Sequence, residues 1–143
     1  MELHEEEILL DRERRVERET VIDATPDEVW EALTDEERLA EWLAPEVELD
    51  PVEGGEVLVR DADGERPGSV ESVEEGERLA FTWERPGEGA SLVEFTVEAV
   101  PAGTRVVVVE TAVAPSPAFA PTAVASWAAA LPRLERSLLL VFA

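Results

Sequence analysis

Two consecutive capping boxes restrict the fold of this chain more than any other feature of its sequence. Thr25-Pro26-Asp27-Glu28 and Thr34-Asp35-Glu36-Glu37 each set a threonine at an N-cap and a glutamate three residues later. Such a pair satisfies two orphan backbone donors reciprocally. Pro26 falls at the first helical position, where its missing N–H costs nothing. The acids of each first turn also suit the positive end of the helix dipole. The spacing therefore predicts two short helices directly after one strand, Arg15 to Asp23. Their apolar anchors are Val29, Trp30 and Leu33, then Leu39, Trp42 and Leu43.

Strand signals follow at short intervals, each bounded by turn residues. Pro45 ends the helical pattern. Glu46 to Asp50 and Glu56 to Asp61 are short strands, separated by Pro51 and Gly54-Gly55. Asp63-Gly64 marks a hairpin turn. Ser69 to Val73 precedes the turn at Glu75-Gly76. Arg78 to Glu84 points Leu79, Phe81 and Trp83 one way and Ala80, Thr82 and Glu84 the other. Ser91 to Val100 alternates likewise, with Val93, Phe95 and Val97 on one face. Ala102-Gly103 then turns the chain into Thr104 to Val113. Alternation of this kind belongs to antiparallel strands with one wet face.

Pro115, Pro117 and Pro121 read as a stiff connection into a long helix, Thr122 to Val141. Trp127, Leu131, Leu134, Leu138 and Val141 form its apolar stripe. Pro132 removes one backbone bond inside it, at about 3 kcal/mol unless a kink accommodates the ring. The expected fold class is α+β: one helix long enough to cover the apolar face of a curved antiparallel sheet. Residues 1–14 read as a charged leader and 15–143 as a single domain.

Composition narrows the chemistry. The 143 residues include no cysteine, lysine or tyrosine, and a single histidine, His4. Thiol nucleophiles, thiolate metal sites and disulfides are excluded. So are lysine Schiff bases and a multi-histidine zinc site within one chain. A Ser-His-Asp triad would need the histidine of the leader. The 12 arginines face 34 acids, a net charge of -22, which repels nucleic acid and anionic lipid. Such a charge keeps a protein soluble, above all in a salty medium. No run of about 20 apolar residues spans a membrane. The acidic start lacks the apolar segment of a secretory signal, so a cytoplasmic location is the expectation. Gly87-Glu88-Gly89 lacks the basic residue and helix of a phosphate loop. Glu5 to Glu7 reads as a solvated charge run. No cofactor and no metal is expected.

Several segments together resemble the helix-grip superfamily, also called START-like or SRPBCC. Within it, the chain is most similar to proteins related to the activator of the heat-shock-protein-90 ATPase. Thr25 to Thr34 resembles the family's first helix, and Leu39 to Leu43, with Trp42, the end of its second. Gly54-Gly55, Gly68-Ser69-Val70 and Arg78 to Trp83 resemble its hairpin and strand pair. Trp127 to Leu139 resembles its terminal helix. The likeness spans roughly residues 15 to 141. Ser126, where relatives often carry glycine, and Pro132 are departures. The resemblance implies a sheet of about six to seven strands gripping the terminal helix, with a cavity between them. It also implies several kinds of activity, because one fold carries many functions.

The inward-facing residues suggest an apolar or amphipathic small molecule as ligand. Its expected site is Trp42, Val57, Val59, Phe81, Trp83, Phe95, Val108, Glu110, Trp127 and Leu131. Ordinary core packing is the competing reading of the aromatic members. Glu110 has two readings. On the inner face it is a partly desolvated carboxylate with a raised pKa, fit for general-base use or as a polar anchor. Near the strand end it simply reaches water. Asp61 shares the parity of Val57 and Val59, but it also begins a hairpin turn. The alternatives to ligand binding are a cyclase or hydrolase working through Glu110 or Asp61 with a bound water, and a cochaperone-like module whose acidic surface meets a chaperone or other basic partner. The apolar C-terminus, Leu138 to Phe142, suits either a core cap or a homodimer interface.

Overall fold

The computed structural model describes residues 14–114 and 116–142, with the side chains of 140–142 set aside. The leader with His4 and Glu5 to Glu7, Pro115, and the Val141 side chain of the helical stripe lie outside the described residues. Seven antiparallel strands form one sheet in the order β1-β7-β6-β5-β4-β3-β2. The strands are β1 (Arg15–Ile22), β2 (Glu46–Leu49), β3 (Glu56–Asp61), β4 (Gly64–Glu74), β5 (Arg78–Arg85), β6 (Gly89–Val100) and β7 (Gly103–Ala112). Helices α1 (Pro26–Thr34) and α2 (Glu36–Trp42) follow β1, and α3 (Phe119–Phe142) closes the chain. This is the helix-grip arrangement expected from the sequence.

The first capping box forms as read. Thr25 Oγ1 accepts from the Glu28 N–H at 3.2 Å, and the Glu28 carboxylate accepts from the Thr25 N–H at 2.9 Å. The second box shifts by one residue. Thr34 is still the last residue of α1, its hydroxyl donating to the Trp30 carbonyl at 2.9 Å. Asp35 serves both helices: its N–H donates to the Glu31 carbonyl, and its carboxylate accepts from the Glu37 N–H at 2.9 Å. A carboxylate caps as well as a hydroxyl, so Asp35 captures the second helix once α1 completes its last turn. Glu36 then falls at the first position of the helix. Its carboxylate accepts from the Leu49 N–H at 2.9 Å and ties α2 to β2.

Strand boundaries also differ from expectation, among them the end of β5 at Arg85 and the start of β6 at Gly89. β4 begins at Gly64 rather than Ser69, so Arg66 and Gly68 belong to the strand. The β3–β4 hairpin turns through Ala62-Asp63, with Asp61 paired to Gly64. Gly68 has no room for a side chain, since a Cβ there would lie 1.7 Å from the Thr82 carbonyl oxygen. Its absence lets β4 close against β5 at Trp83. A bulge between Val70 and Ser72 adds local bend and twist. The helix α3 begins at Phe119, three residues earlier than expected, because Pro121 falls in the first turn, where an N–H has no helical partner anyway. Phe119, Ala123, Trp127, Leu131, Leu134 and Leu138 are buried, and α3 packs on β1, α1 and α2. Pro132 stays inside the helix on its exposed side.

Candidate functional site

The inner face of the sheet is apolar in the middle and ionic at one end. In the middle, ring centroids of Phe81 and Trp83 are 5.5 Å apart, Phe81 and Phe95 5.9 Å, and Phe95 and Trp127 5.7 Å. Trp83 and Trp127 stack with an interplanar angle of 16°, and Trp42 meets Phe95 edge-on at 6.0 Å. These rings are buried between the sheet and the terminal helix. The Trp42 indole donates to the Ala32 carbonyl at 2.9 Å, which locks the two short helices together.

The cavity beside these rings is displaced from its expected place and is small. It measures ≈ 10 Å³, room for about one water. Val57, Val59, Phe81 and Phe95 form its sheet side; Leu33, Leu39 and Leu43 come from the α1–α2 region, and Val47 and Leu49 from β2. Trp42, Trp83, Val108, Trp127 and Leu131 are buried core residues that do not border it. Leu43 also borders an open groove of ≈ 480 Å³ between the end of α2, the β3–β4 turn and α3. Asp61, Trp42 and Arg133 line that groove, and Arg133 Nε donates to the Trp42 carbonyl at 3.0 Å.

Glu110 occupies the ionic end of the inner face and is 0 % exposed, so it does not reach water. Arg85, itself 4 % exposed, holds it with two bonds of 2.7 Å, from Nε to Oε2 and from Nη2 to Oε1. Trp83 Nε1 donates to Oε2 at 3.0 Å and Trp127 Nε1 to Oε1 at 2.9 Å. The Ser91 hydroxyl adds a further bond to Oε2. A carboxylate offers about four lone-pair sites, so these donors leave it no capacity for a substrate. The expected rise in pKa is also reversed. Burial pushes the Glu110 carboxyl up, but the hydrogen bonds and charge of Arg85, with Ser91 and Trp83, outweigh it and hold it below the ordinary range. Glu110 is neither a poised base nor a free anchor.

A second ion pair, missed by the sequence reading, lies nearby. Arg66 is 6 % exposed and pairs with Asp61 through Nη2. The other Asp61 oxygen accepts from the Asp63 N–H at 2.8 Å, so Asp61 is the turn acid expected of it and a charge partner besides. Both guanidiniums lie over the Trp83 ring, Arg66 at 4.6 Å and Arg85 at 5.2 Å from its centroid. Desolvation and the charge of Arg85 lower the Arg66 pKa. Arg66 Nε is buried without a partner. The available signal was strand parity: Arg85 follows Trp83 by two, and Arg66 precedes Gly68 and Val70 by two and four. Ending β5 at Glu84 and starting β4 at Ser69 hid both. Among the described residues no group of three His, Asp or Glu is placed to hold a metal, and no helix is long and apolar enough to cross a membrane.

Comparison with known structures agrees with the fold. A crystal structure of the protein MLL2253 from Mesorhizobium loti superposes with a TM-score of 0.80 at 26% identity, covering 87% of this chain and 96% of that one. DynU16, described as a putative protein in the dynemicin biosynthetic locus, gives 0.79 at 28% identity, over 87% of this chain and 47% of its own. The Aha1 dimer from Colwellia psychrerythraea shares the fold, with a TM-score of 0.76 at 20% identity over 87% of this chain and 95% of that one. No curated protein matches the chain significantly. The family described as Activator of Hsp90 ATPase homolog 1-like protein matches residues 23–138. With that match running from the cap of the first helix into the last turns of α3, the chain belongs to the Activator of Hsp90 ATPase homolog 1-like family.

Proposed function

We propose that this domain binds an apolar or amphipathic small molecule, which reaches the cavity under α2 from the open groove beside it. The observation that carries this reading is the shared wall. Leu43 borders both the all-apolar cavity and the groove, so its movement joins ≈ 10 Å³ of apolar space to ≈ 480 Å³ of open space. Pockets that bury a drug-sized ligand measure about 300–1,000 Å³, so binding requires α2 to lift from the sheet. That helix has seven residues, and polar links hold it at its two ends: Glu36 to Leu49 and Trp42 to Arg133. The position of DynU16 in a biosynthetic locus is compatible with a small-molecule ligand. Acid–base catalysis is less well supported, because Glu110 is saturated with donors and Asp61 is engaged by Arg66 and its own turn.

Decanol is a suitable neutral probe. Titrated into isotope-labelled protein, it is expected to give saturable amide shifts at Val57, Val59, Phe81 and Phe95. No saturable shift, or shifts confined to other surfaces, would overturn the reading.

A further inference from the structure

The ionic end of the inner face carries more donor capacity than it uses, and the surplus is on Arg66. Five donors already converge on Glu110: two from Arg85 and one each from Trp83, Trp127 and Ser91. That pair is closed. Arg66 differs. Asp61 engages its Nη2, while its Nε is buried with no acceptor. A buried guanidinium N–H without an acceptor costs free energy comparable to a lost charged hydrogen bond. A second guanidinium, Arg85, lies over the same indole, its charge offset by Glu110 as that of Arg66 is by Asp61, so what remains unused is the Nε donor rather than net charge.

Arg66 also stands next to the apolar cavity. Its direct cross-strand partner on β3 is Val59, which lines the cavity. The Trp83 ring beneath its guanidinium is in edge contact with Phe81, which lines it too. On the solvent side, its partner Asp61 borders the open groove. An apolar compartment and a desolvated, under-used cation are thus adjacent on one face.

From this juxtaposition we infer that the ligand is a carboxylate-headed amphiphile, its head accepted by Arg66 Nε and its chain lying against Val59 and Phe81. The inference rests on the ligand-binding reading above and adds the class of ligand. A monoanionic, planar head suits the site better than a phosphate dianion, because Asp61 already offsets the Arg66 charge and the one free donor, Nε, needs a single in-plane oxygen.

The test compares decanoate with decanol, both below micellar concentration at neutral pH, by calorimetry on the native protein and on Arg66→Gln and Arg66→Lys. A charge-assisted bond in a dry site is expected to give decanoate an advantage of about tenfold over decanol. Arg66→Gln should erase that advantage while leaving decanol affinity within about threefold. Arg66→Lys keeps the charge and lacks Nε, so it should lose most of the advantage as well; it also serves if the glutamine variant fails to fold. Equal affinities for the two probes in the native protein overturn the carboxylate inference and leave the apolar reading standing. An advantage that survives both substitutions overturns the role of Arg66. Binding of neither probe overturns both readings together.

Discussion

A carboxylate taken out of water costs several kcal/mol unless the protein replaces its hydration. Glu110 shows how this chain does so, through a bidentate arginine and three neutral donors. Removing one partner strands the other. Glu110→Gln leaves Arg85 buried without its counter-charge and is expected to cost about 3–5 kcal/mol in urea unfolding. Adding Arg85→Met should recover about 1 kcal/mol or more of that loss; a double variant no more stable than the single one would show that the charges are not coupled. The pH dependence follows from the depressed carboxyl. Its folded pKa lies below its unfolded value of about 4.3, so the stabilisation is complete above that value and is lost as pH falls through the folded one. Acid unfolding monitored by tryptophan fluorescence should therefore steepen below about pH 4, and Glu110→Gln should flatten that limb. The inward direction of Glu110 was legible from its alternation with Val106 and Val108. Its partner was not, because Arg85 is 25 positions away and only strand register brings them together.

At the scale of elements, local signals were the reliable ones. Thr25 caps α1 as its spacing requires, and the strands alternate where Phe81 and Phe95 demand an inside. The errors fell at boundaries where two local rules compete. Thr34 and Asp35 are both good N-caps, and the choice went to Asp35 because α1 extends through Thr34. Asp35→Ala should cost about 1 kcal/mol in thermal unfolding, and Thr34→Ala clearly less, since its hydroxyl only returns to a carbonyl of its own helix. Equal losses would restore the threonine as the cap. Pro121 marked the end of a loop by composition but sits inside the first turn of α3, where proline is tolerated.

Across the whole molecule, the charge of -22 opposes compaction without choosing a fold. Surface acids repel one another over about 10 Å at 0.1 M salt. Scanning calorimetry in rising sodium chloride should therefore show an increasing Tm, by about 3 °C for each kcal/mol of repulsion screened. A Tm independent of salt would mean that the exposed arginine–carboxylate pairs, such as Arg60 with Glu46 and Glu65, already neutralise the field. The penalty of Glu110→Gln should persist at high salt, because solvent ions do not reach a fully buried pair.

The sequence by itself determined the order of elements, the inner face of β3, β5, β6 and β7 and the stripe of the terminal helix, because caps, turns and side-chain periodicity act over a few residues. The tertiary structure decided the rest. It set which arginine meets which carboxylate, how the three tryptophans pack within the grip, and where the apolar cavity under α2 lies. Those outcomes depend on register and on summed side-chain volume across strands distant in sequence, and no local pattern encodes them.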